Sequence, residues 1–226
     1  GCGKSTLLNR ILGEKIAIAS PRPQTTRDNI LGVKHLPGAQ IVFVDTPGIH
    51  KPKGPLNKAI VATALSALQG VDLALLVVDV DKQVKRGPGM GRADERILSV
   101  VQQAGCPVVL ALNKVDLPKK HLLLPIMESW HQTNVFEVII PISARTGDGV
   151  DALVDEIAQR LEPGPALYPD DMVTDRSMRF LASELIREKL FLQLNRELPY
   201  AVAVEVETWA EEENHTHIRA VIHIEK

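Results

Sequence analysis

Asn113-Lys114-Val115-Asp116 follows a buried-strand run, Val108-Val109-Leu110-Ala111-Leu112. An Asp at the carboxyl end of a strand can accept two hydrogen bonds, from N1–H and the 2-amino group of guanine. Adenine offers no such donor pair, so Asn-Lys-x-Asp selects guanine. The tetrapeptide is common by itself, and its weight comes from three further segments in a fixed order. Gly3-Lys4-Ser5-Thr6 is the second half of a phosphate loop, whose backbone amides, with those of Gly1 and Cys2, cradle phosphates at a helix amino terminus. There Lys4 reaches the β- and γ-phosphates and the Ser5 hydroxyl ligates Mg²⁺. Asp45-Thr46-Pro47-Gly48-Ile49 closes the strand Ile41–Val44; Asp45 holds Mg²⁺ through water and the Gly48 amide senses the γ-phosphate. Pro23-Gln24-Thr25-Thr26-Arg27 stands where a mobile loop belongs, with Thr26 closing onto Mg²⁺ and γ-phosphate. Ser143-Ala144-Arg145 follows the next strand and places backbone amides near the guanine O6.

Each segment alone has a bland reading. Gly-Lys-Ser opens many helices, Asp-x-Pro-Gly is a frequent turn, and two threonines in a polar loop are usually only loop. All of them in order, each beside the carboxyl end of a strand, mark the edge where open α/β sheets bind ligands. On this reading Lys4, Thr26 and Gly48 act on the transferring phosphoryl group, and Ser5, Thr26 and Asp45 hold the metal.

The elements that must position these residues follow from the pattern. From Lys4 to about Leu161, strand-like apolar runs alternate with amphipathic stretches, which reads as α/β with a mainly parallel sheet and helices on both faces. Helices are expected over Lys4–Leu12, Gly54–Gln69, Arg92–Ala104, Leu122–Gln132 and Val150–Leu161. Strands are expected over Asn29–Leu36 and Gln40–Asp45, joined by Pro37-Gly38, and over Leu73–Asp79, Val108–Leu112 and Phe136–Ile140. Glu162-Pro163-Gly164-Pro165 then breaks the pattern. The organisation expected is a nucleotide-binding unit over residues 1–161, a linker over 162–175 and a second unit over 176–226. That second unit opens on a helix over Arg176–Glu197, with Phe180, Leu181, Leu185, Ile186, Leu190 and Leu194 as its apolar side. Val202–Trp209 and Ile218–Ile224 alternate like an antiparallel pair.

The chain has 226 residues and a formal net charge of −2, so no global basic field announces a nucleic-acid partner. Cys2 and Cys106 are far apart and show no metal or disulfide pattern, which fits reduced thiols in a cytosolic protein. No apolar run reaches the ~18 residues of a spanning helix, and no signal peptide is visible. The chain starts at Gly1, inside its own phosphate loop. It reads as a fragment lacking the first strand, with turnover reduced or lost, and the second unit, about 50 residues, reads as cut short too.

These motifs resemble the translation-factor-related GTPases, and more closely the Era-type bacterial GTPases. Ile16–Ser20 with Pro23–Arg27, and Asp45–His50 with Pro52–Leu56, look like Era switch regions. Arg179–Leu190 and Glu197-Leu198-Pro199-Tyr200 are similar to the opening of the Era KH-type RNA-binding domain. The resemblance implies a P-loop G domain followed by an incomplete α+β KH-type domain. It further implies a GTP-hydrolysing, Mg²⁺-dependent switch that binds small-subunit ribosomal RNA and acts in small ribosomal subunit assembly. Era-type proteins are cytoplasmic and associate peripherally with the inner membrane.

Where many GTPases carry a water-orienting Gln after Asp-x-x-Gly, this chain has Ile49. The resemblance therefore implies slow intrinsic hydrolysis driven by positioning and charge. Relatives often add a monovalent cation such as K⁺, held partly by an Asn of the phosphate loop; Gly1 stands at that position, leaving Thr25 as a contributor. Arg27 reads as a solvated loop charge rather than an arginine finger, and His50 as no general base.

In the second unit, Arg176, Arg179, Arg187, Lys189 and Arg196 give a phosphate-contacting face or a solvated one. No Gly-x-x-Gly follows Arg176, so the RNA sequence recognised is not legible. His215-x-His217 and His223 share a strand face, but without an acidic or Cys partner at ligand spacing they give no zinc site. Two rival readings stay open: a nucleotide-binding scaffold with little turnover, and a second unit that binds protein instead of RNA.

Overall fold

Val108–Asn113 is buried at all six positions, as a strand covered on both faces must be. This strand is the middle one of a parallel sheet in the computed structural model. The structure describes residues 1–20, 22, 25–27, 29–46, 68–86, 90–103, 105–117, 120–195 and 198–225. In chain order the elements are α1 (Lys4–Leu12), β1 (Ile30–Leu36), β2 (Ala39–Asp45), β3 (Ala74–Asp79), α2 (Val80–Arg86), α3 (Arg92–Val101) and β4 (Val108–Asn113). They continue with α4 (Leu123–His131), β5 (Val138–Ile142), α5 (Val150–Ala158), α6 (Met178–Gln193), β6 (Val202–Glu211) and β7 (Thr216–Ile224).

The sheet order is β3-β4-β5, all parallel. Its register sets Asp79 beside Asn113 and Asn113 beside Ile142, so three strand ends finish level. That edge is where the loops carrying polar chemistry emerge. On one face, Leu7 and Ile11 of α1 and Leu153, Val154 and Ile157 of α5 pack against Val77, Val109, Ala111 and Ile140. On the other, Val80, Ile126 and Trp130 cover Val78, Leu110 and Leu112. The fully buried Trp130 donates its indole N–H to Gln83 Oε1 at 3.1 Å. The antiparallel hairpin β1–β2 turns at Pro37-Gly38, and Ile41 of β2 joins the core beneath α1 and α5.

Several boundaries differ from the sequence expectation, each for a local reason. Val80–Arg86 is helical, although no helix is expected there. β5 runs over Val138–Ile142 rather than Phe136–Ile140; Phe136 instead meets Trp130 edge-on, with ring centroids 5.7 Å apart. α3 ends at Val101 and α5 at Ala158. The helix expected over 54–69 lies outside the described residues except for Leu68 and Gln69, which belong to a turn.

α6 begins at Met178, because the Ser177 hydroxyl caps it by accepting the Phe180 N–H at 3.3 Å. It stops at Gln193, where Leu194 turns extended. Its most buried positions are Arg187, Glu188 and Phe191, whereas Leu185 of the expected apolar side is 42% exposed. Phe180 and Leu181 pack against Leu8, Ile16, Ala17 and Ile30 of the first half of the chain. The segment before α6 is stitched to the β1–β2 hairpin. The Val33 N–H donates to Val173 O at 2.8 Å, the Thr174 hydroxyl to Leu31 O at 2.7 Å, and the Gln40 amide to Tyr168 O at 2.8 Å.

Leu153 is fully buried between α5 and the sheet. Leu153→Ala is expected to cost about 2–5 kcal/mol in chemical denaturation, whereas Leu185→Ala at its exposed position stays within about 0.5 kcal/mol.

Candidate nucleotide site

The phosphate end of the site depends on a residue without a side chain. Gly3 opens α1 in the left-handed region, at φ +96°. A Cβ there would lie 2.4 Å from Asn113 Nδ2. The backbone therefore passes directly over the end of β4, and Asn113 Nδ2 donates to Cys2 O at 2.8 Å. No side chain caps α1, so its first-turn amides, which have no partner within the helix, face outward as an anion cradle.

Asn113 is 2% exposed and joins the two ends of the site. Its Oδ1 accepts the Lys114 N–H at 2.8 Å and the Ala144 N–H at 2.9 Å. Lys114 adopts φ +73°, a conformation costly for a residue with a side chain. It sends Nζ back along the sheet edge to Gly1 O at 2.9 Å and Asp79 Oδ2 at 2.7 Å. The Val115 N–H donates to Ile142 O at 3.2 Å, which ties the loop to β5.

Asp116 accepts the Ser143 hydroxyl at 2.7 Å and the Arg145 guanidinium at 2.6 Å. Burial pushes its carboxyl upward, but the Ser143 hydroxyl, a backbone N–H and Arg145 outweigh this and hold it below the usual carboxylate range. One oxygen is thus oriented by Ser143 and the other is held by a side chain that is 73% exposed. A base with two donors can take the place of that exposed guanidinium.

The third cluster comes from α1, the loop before β1 and the end of β2. Ser5 Oγ lies 2.9 Å from Thr26 Oγ1 and donates to Asp45 Oδ2 at 2.8 Å. Thr26 donates to the same carboxylate oxygen at 3.3 Å. All three residues are buried. Burial raises the Asp45 carboxyl above its usual value, against the opposing pull of Lys4, Ser5 and Thr26. Two hydroxyls and a buried carboxylate form a hard oxygen donor set of the kind that suits Mg²⁺.

The Thr26 loop is also held from the far half of the chain. Arg187 Nη2 donates to Thr25 O at 2.8 Å while Nε and Nη2 grip Glu184 at 2.7 and 2.8 Å. Arg27 donates to Val202 O at 3.0 Å and Tyr200 O at 2.7 Å. Glu188 accepts Lys15 Nζ at 2.6 Å and the Ala19 N–H at 3.1 Å. Both arginines do more than carry a surface charge. Arg187 is buried against the first half of the chain rather than lying on a solvated or RNA-facing side, and Arg27 stays exposed, as a loop charge would, while also bridging to the second half.

The structure brings Gly1, Cys2, Gly3, Asn113, Lys114, Ala144 and Asp79 together at one sheet edge, with Asp116, Ser143 and Arg145 beside them. Ser5, Thr26 and Asp45 form the oxygen cluster. Thr46 follows β2, and Lys4 and Thr6 lie in the first turn of α1. Pro47, Gly48, Ile49 and His50, with Pro23, Gln24 and Pro52–Leu56, lie outside the described residues. Asp79 was not anticipated, although it ends a buried strand as Asp45 does and the same rule could have found it.

Comparison with known proteins agrees with this geometry. The model of the 50S ribosome-binding GTPase family matches residues 1–114. The GTPase Era of Geobacter metallireducens is 49% identical over 212 residues, spanning 94% of this chain and 69% of that protein. That of Syntrophus aciditrophicus is 46% identical over 226 residues, spanning 99% of this chain and 72% of that protein. Among solved structures, an Aquifex aeolicus Era variant bound to GDP·AlF4⁻ superimposes with a TM-score of 0.86 at 36% identity, covering 100% of this chain and 76% of that one. An Era structure with MgGDPNP and nucleotides 1506–1542 of 16S ribosomal RNA gives the same TM-score, identity and coverage. The guanine-reading loop, the phosphate loop and the second half of the chain thus agree with the same relatives, and the chain belongs to the Era family of GTPases.

Proposed function

We propose that this GTPase is a switch whose nucleotide state is passed to an RNA-binding unit that grips small-subunit ribosomal RNA during small ribosomal subunit assembly. One observation carries the reading. The loop that presents Thr26 to the Ser5–Asp45 cluster is held on both sides of Thr26, at Thr25 and Arg27, by the second half of the chain. A relative's structure holding MgGDPNP and 16S ribosomal RNA together supports the two ligands. The division proposed is a G domain over residues 1–161, a connector over 162–175 and a KH-type unit beginning at 176.

In this scheme Asp116 reads N1–H and the 2-amino group of guanine after Arg145 swings off its carboxylate. Ser143 keeps the reading oxygen oriented, and the Ala144 amide faces O6. The amides of Gly1 to Thr6 bind the phosphates, with Val115 and Ile49 completing the nucleotide-binding residues. Lys4 places its ammonium against the β- and γ-phosphates, where negative charge is redistributed during transfer. Thr26 and the Gly48 amide complete the contact to the γ-phosphate, and a loss of that contact is what the second unit senses. Ser5, Thr26 and Asp45 are the residues that hold Mg²⁺, which neutralises charge on the β- and γ-oxygens when bound. A K⁺ ion near Gly1 and Thr25, and peripheral membrane association, belong to the same proposal. Among the described residues no helix is long and apolar enough to cross a membrane.

Phosphate release from GTP in the presence of Mg²⁺, and none from ATP, is the expected activity; GTP binding with no release above buffer would leave only a nucleotide-binding scaffold. Asp116→Asn removes a charged acceptor from two hydrogen bonds. GTP affinity is expected to fall about 100-fold, given ~1.5 kcal/mol or more for each, with preference moving toward xanthosine triphosphate. Unchanged guanine selectivity in a binding assay refutes the role given to Asp116.

Asp45 supplies a pH signature. Its folded-state carboxyl is raised by burial, so its contribution is full below the usual Asp value of about 3.9 and is lost as pH rises through the raised value. In chelator, ionisation of Asp45 as pH rises is therefore a cost. Asp45→Asn is expected to raise Tm there by about 2–4 °C, the scale of ~1 kcal/mol in a chain of this size, while losing the further stabilisation that Mg·GDP gives. Thermal denaturation with and without Mg·GDP measures both. Arg187→Ala should bring the ratio of RNA affinities in the GTP-analogue and GDP states close to one, with GTP affinity itself within about twofold, a change of under ~0.5 kcal/mol. Filter binding to an RNA of nucleotides 1506–1542 of 16S ribosomal RNA reads this ratio, and an unchanged ratio removes Arg187 from the coupling path.

A further inference from the structure

The tip of the β6–β7 hairpin gathers three metal-ligating side chains that take no part in the nucleotide site. β6 ends at Glu211, opposite Thr216. The intervening loop is closed by the Glu212 N–H donating to His215 O at 2.9 Å. His215 and His217 are two residues apart, so they rise on one face of the extended chain, and the loop folds Glu212 back toward them. The acidic partner that the two histidines need for a metal site is Glu212.

The three ligand atoms lie close enough together to share one ion. His215 Nε2 lies 2.9 Å from His217 Nε2 and 3.0 Å from Glu212 Oε2, and His217 Nε2 lies 3.6 Å from Glu212 Oε1. A ring nitrogen carries either one proton or one lone pair. His215 Nε2 cannot both donate to the carboxylate and accept from His217, so without an ion one proton on it must be shared between the two. A cation bound at ligand distances of ~2.0–2.1 Å in a tetrahedron separates its ligand atoms by about 3.3–3.4 Å, and the three approaches bracket that spacing. The two rings stand at 79° with centroids 4.6 Å apart, edge to face rather than stacked. Both Nε2 atoms face the Glu212 carboxylate, at 3.0 and 3.6 Å.

We propose that Glu212, His215 and His217 form a binding site for a divalent transition-metal ion of the zinc class at the hairpin tip. Two imidazoles and a carboxylate suit Zn²⁺, Ni²⁺ or Cu²⁺ and discriminate against Mg²⁺, which takes oxygen ligands and keeps its waters. The site is therefore chemically separate from the Ser5–Thr26–Asp45 cluster. All three ligand residues are exposed, so the ion has open access, and three protein ligands leave a fourth position for water or an outside donor. Glu211 and Glu213 flank the site in sequence and add negative charge around it. Glu211 also accepts the Trp209 indole N–H at 2.8 Å, which fixes the strand end beside the ligands. His223, on the same strand face, pairs with Glu205 at 3.3 Å instead; it stands six residues from His217, roughly 20 Å along an extended strand, and takes no part.

The test is a titration of the untagged protein, saturated with GDP and Mg²⁺, with Zn²⁺ at micromolar concentrations by calorimetry. One equivalent is expected to bind. His217→Ala and Glu212→Gln should each lower the affinity by about tenfold or more, the scale on which even outer partners of a metal site act. His223→Ala should leave it unchanged. GDP affinity in all three variants should equal that of the parent, which shows that the chain is folded. Zinc binding of equal strength in the parent and the His217→Ala protein would overturn the site, as would an absence of zinc binding in the parent.

Discussion

The side-chain amide of Asn113 holds the two ends of the nucleotide site in register. Its nitrogen donates to the phosphate loop at Cys2 O, and its oxygen accepts from the Lys114 and Ala144 amides. Leaving any of these buried groups unpaired costs on the order of 1–3 kcal/mol, so the amide ties three segments that are far apart in sequence. The arrangement works only because neighbouring strand ends finish level in the parallel sheet and because Gly3 has no Cβ to collide with the amide. Fold and site therefore share one constraint at the carboxyl end of β4.

Two aspartates at strand or loop ends show how position divides the electrostatic work. Asp116 carries its own hydroxyl and guanidinium partners and is held ionised, ready to accept from a base. Asp45 has only hydroxyl donors and a more distant Lys4, and burial raises it. The first arrangement presents an acceptor before the ligand arrives; the second leaves a local shortage of positive charge that a divalent ion meets. The same side chain thus serves recognition in one place and cation binding in the other.

Much of this was legible in the sequence, for a physical reason. Strands buried on both faces read as unbroken apolar runs, and the chemistry of the loops that follow them depends on short spacings. β4 and its Asn-Lys-x-Asp are the clearest case. α2 was not legible, since its seven residues, with Val80, Gln83 and Val84 turned to the core, are too short a window for a helical period to stand out. β5 was displaced by two residues because Phe136, apolar like a strand residue, packs on Trp130 at the corner. Arg187 and Glu188 were misread or passed over because charged residues count as solvent-facing until their partners are known. Those partners, Thr25 and Lys15, lie 162 and 173 positions away in the chain. Glu212 was missed for the opposite reason: the loop that folds it onto His215 and His217 is local, but its curvature is not written in the residue types.

The two arginines that bridge the halves of the molecule grip main-chain carbonyls, those of Thr25, Tyr200 and Val202. A carbonyl is offered by every amino acid. The residues that receive these contacts can therefore be exchanged, within the limits of their own packing, without breaking the bridge. For these carbonyl contacts the mutational burden falls on Arg187 and Arg27. In a lineage of such proteins these contacts would drift in sequence at their receiving side while keeping their geometry, and an exchange of either arginine would be the change that frees the Thr26 loop from the second half of the chain.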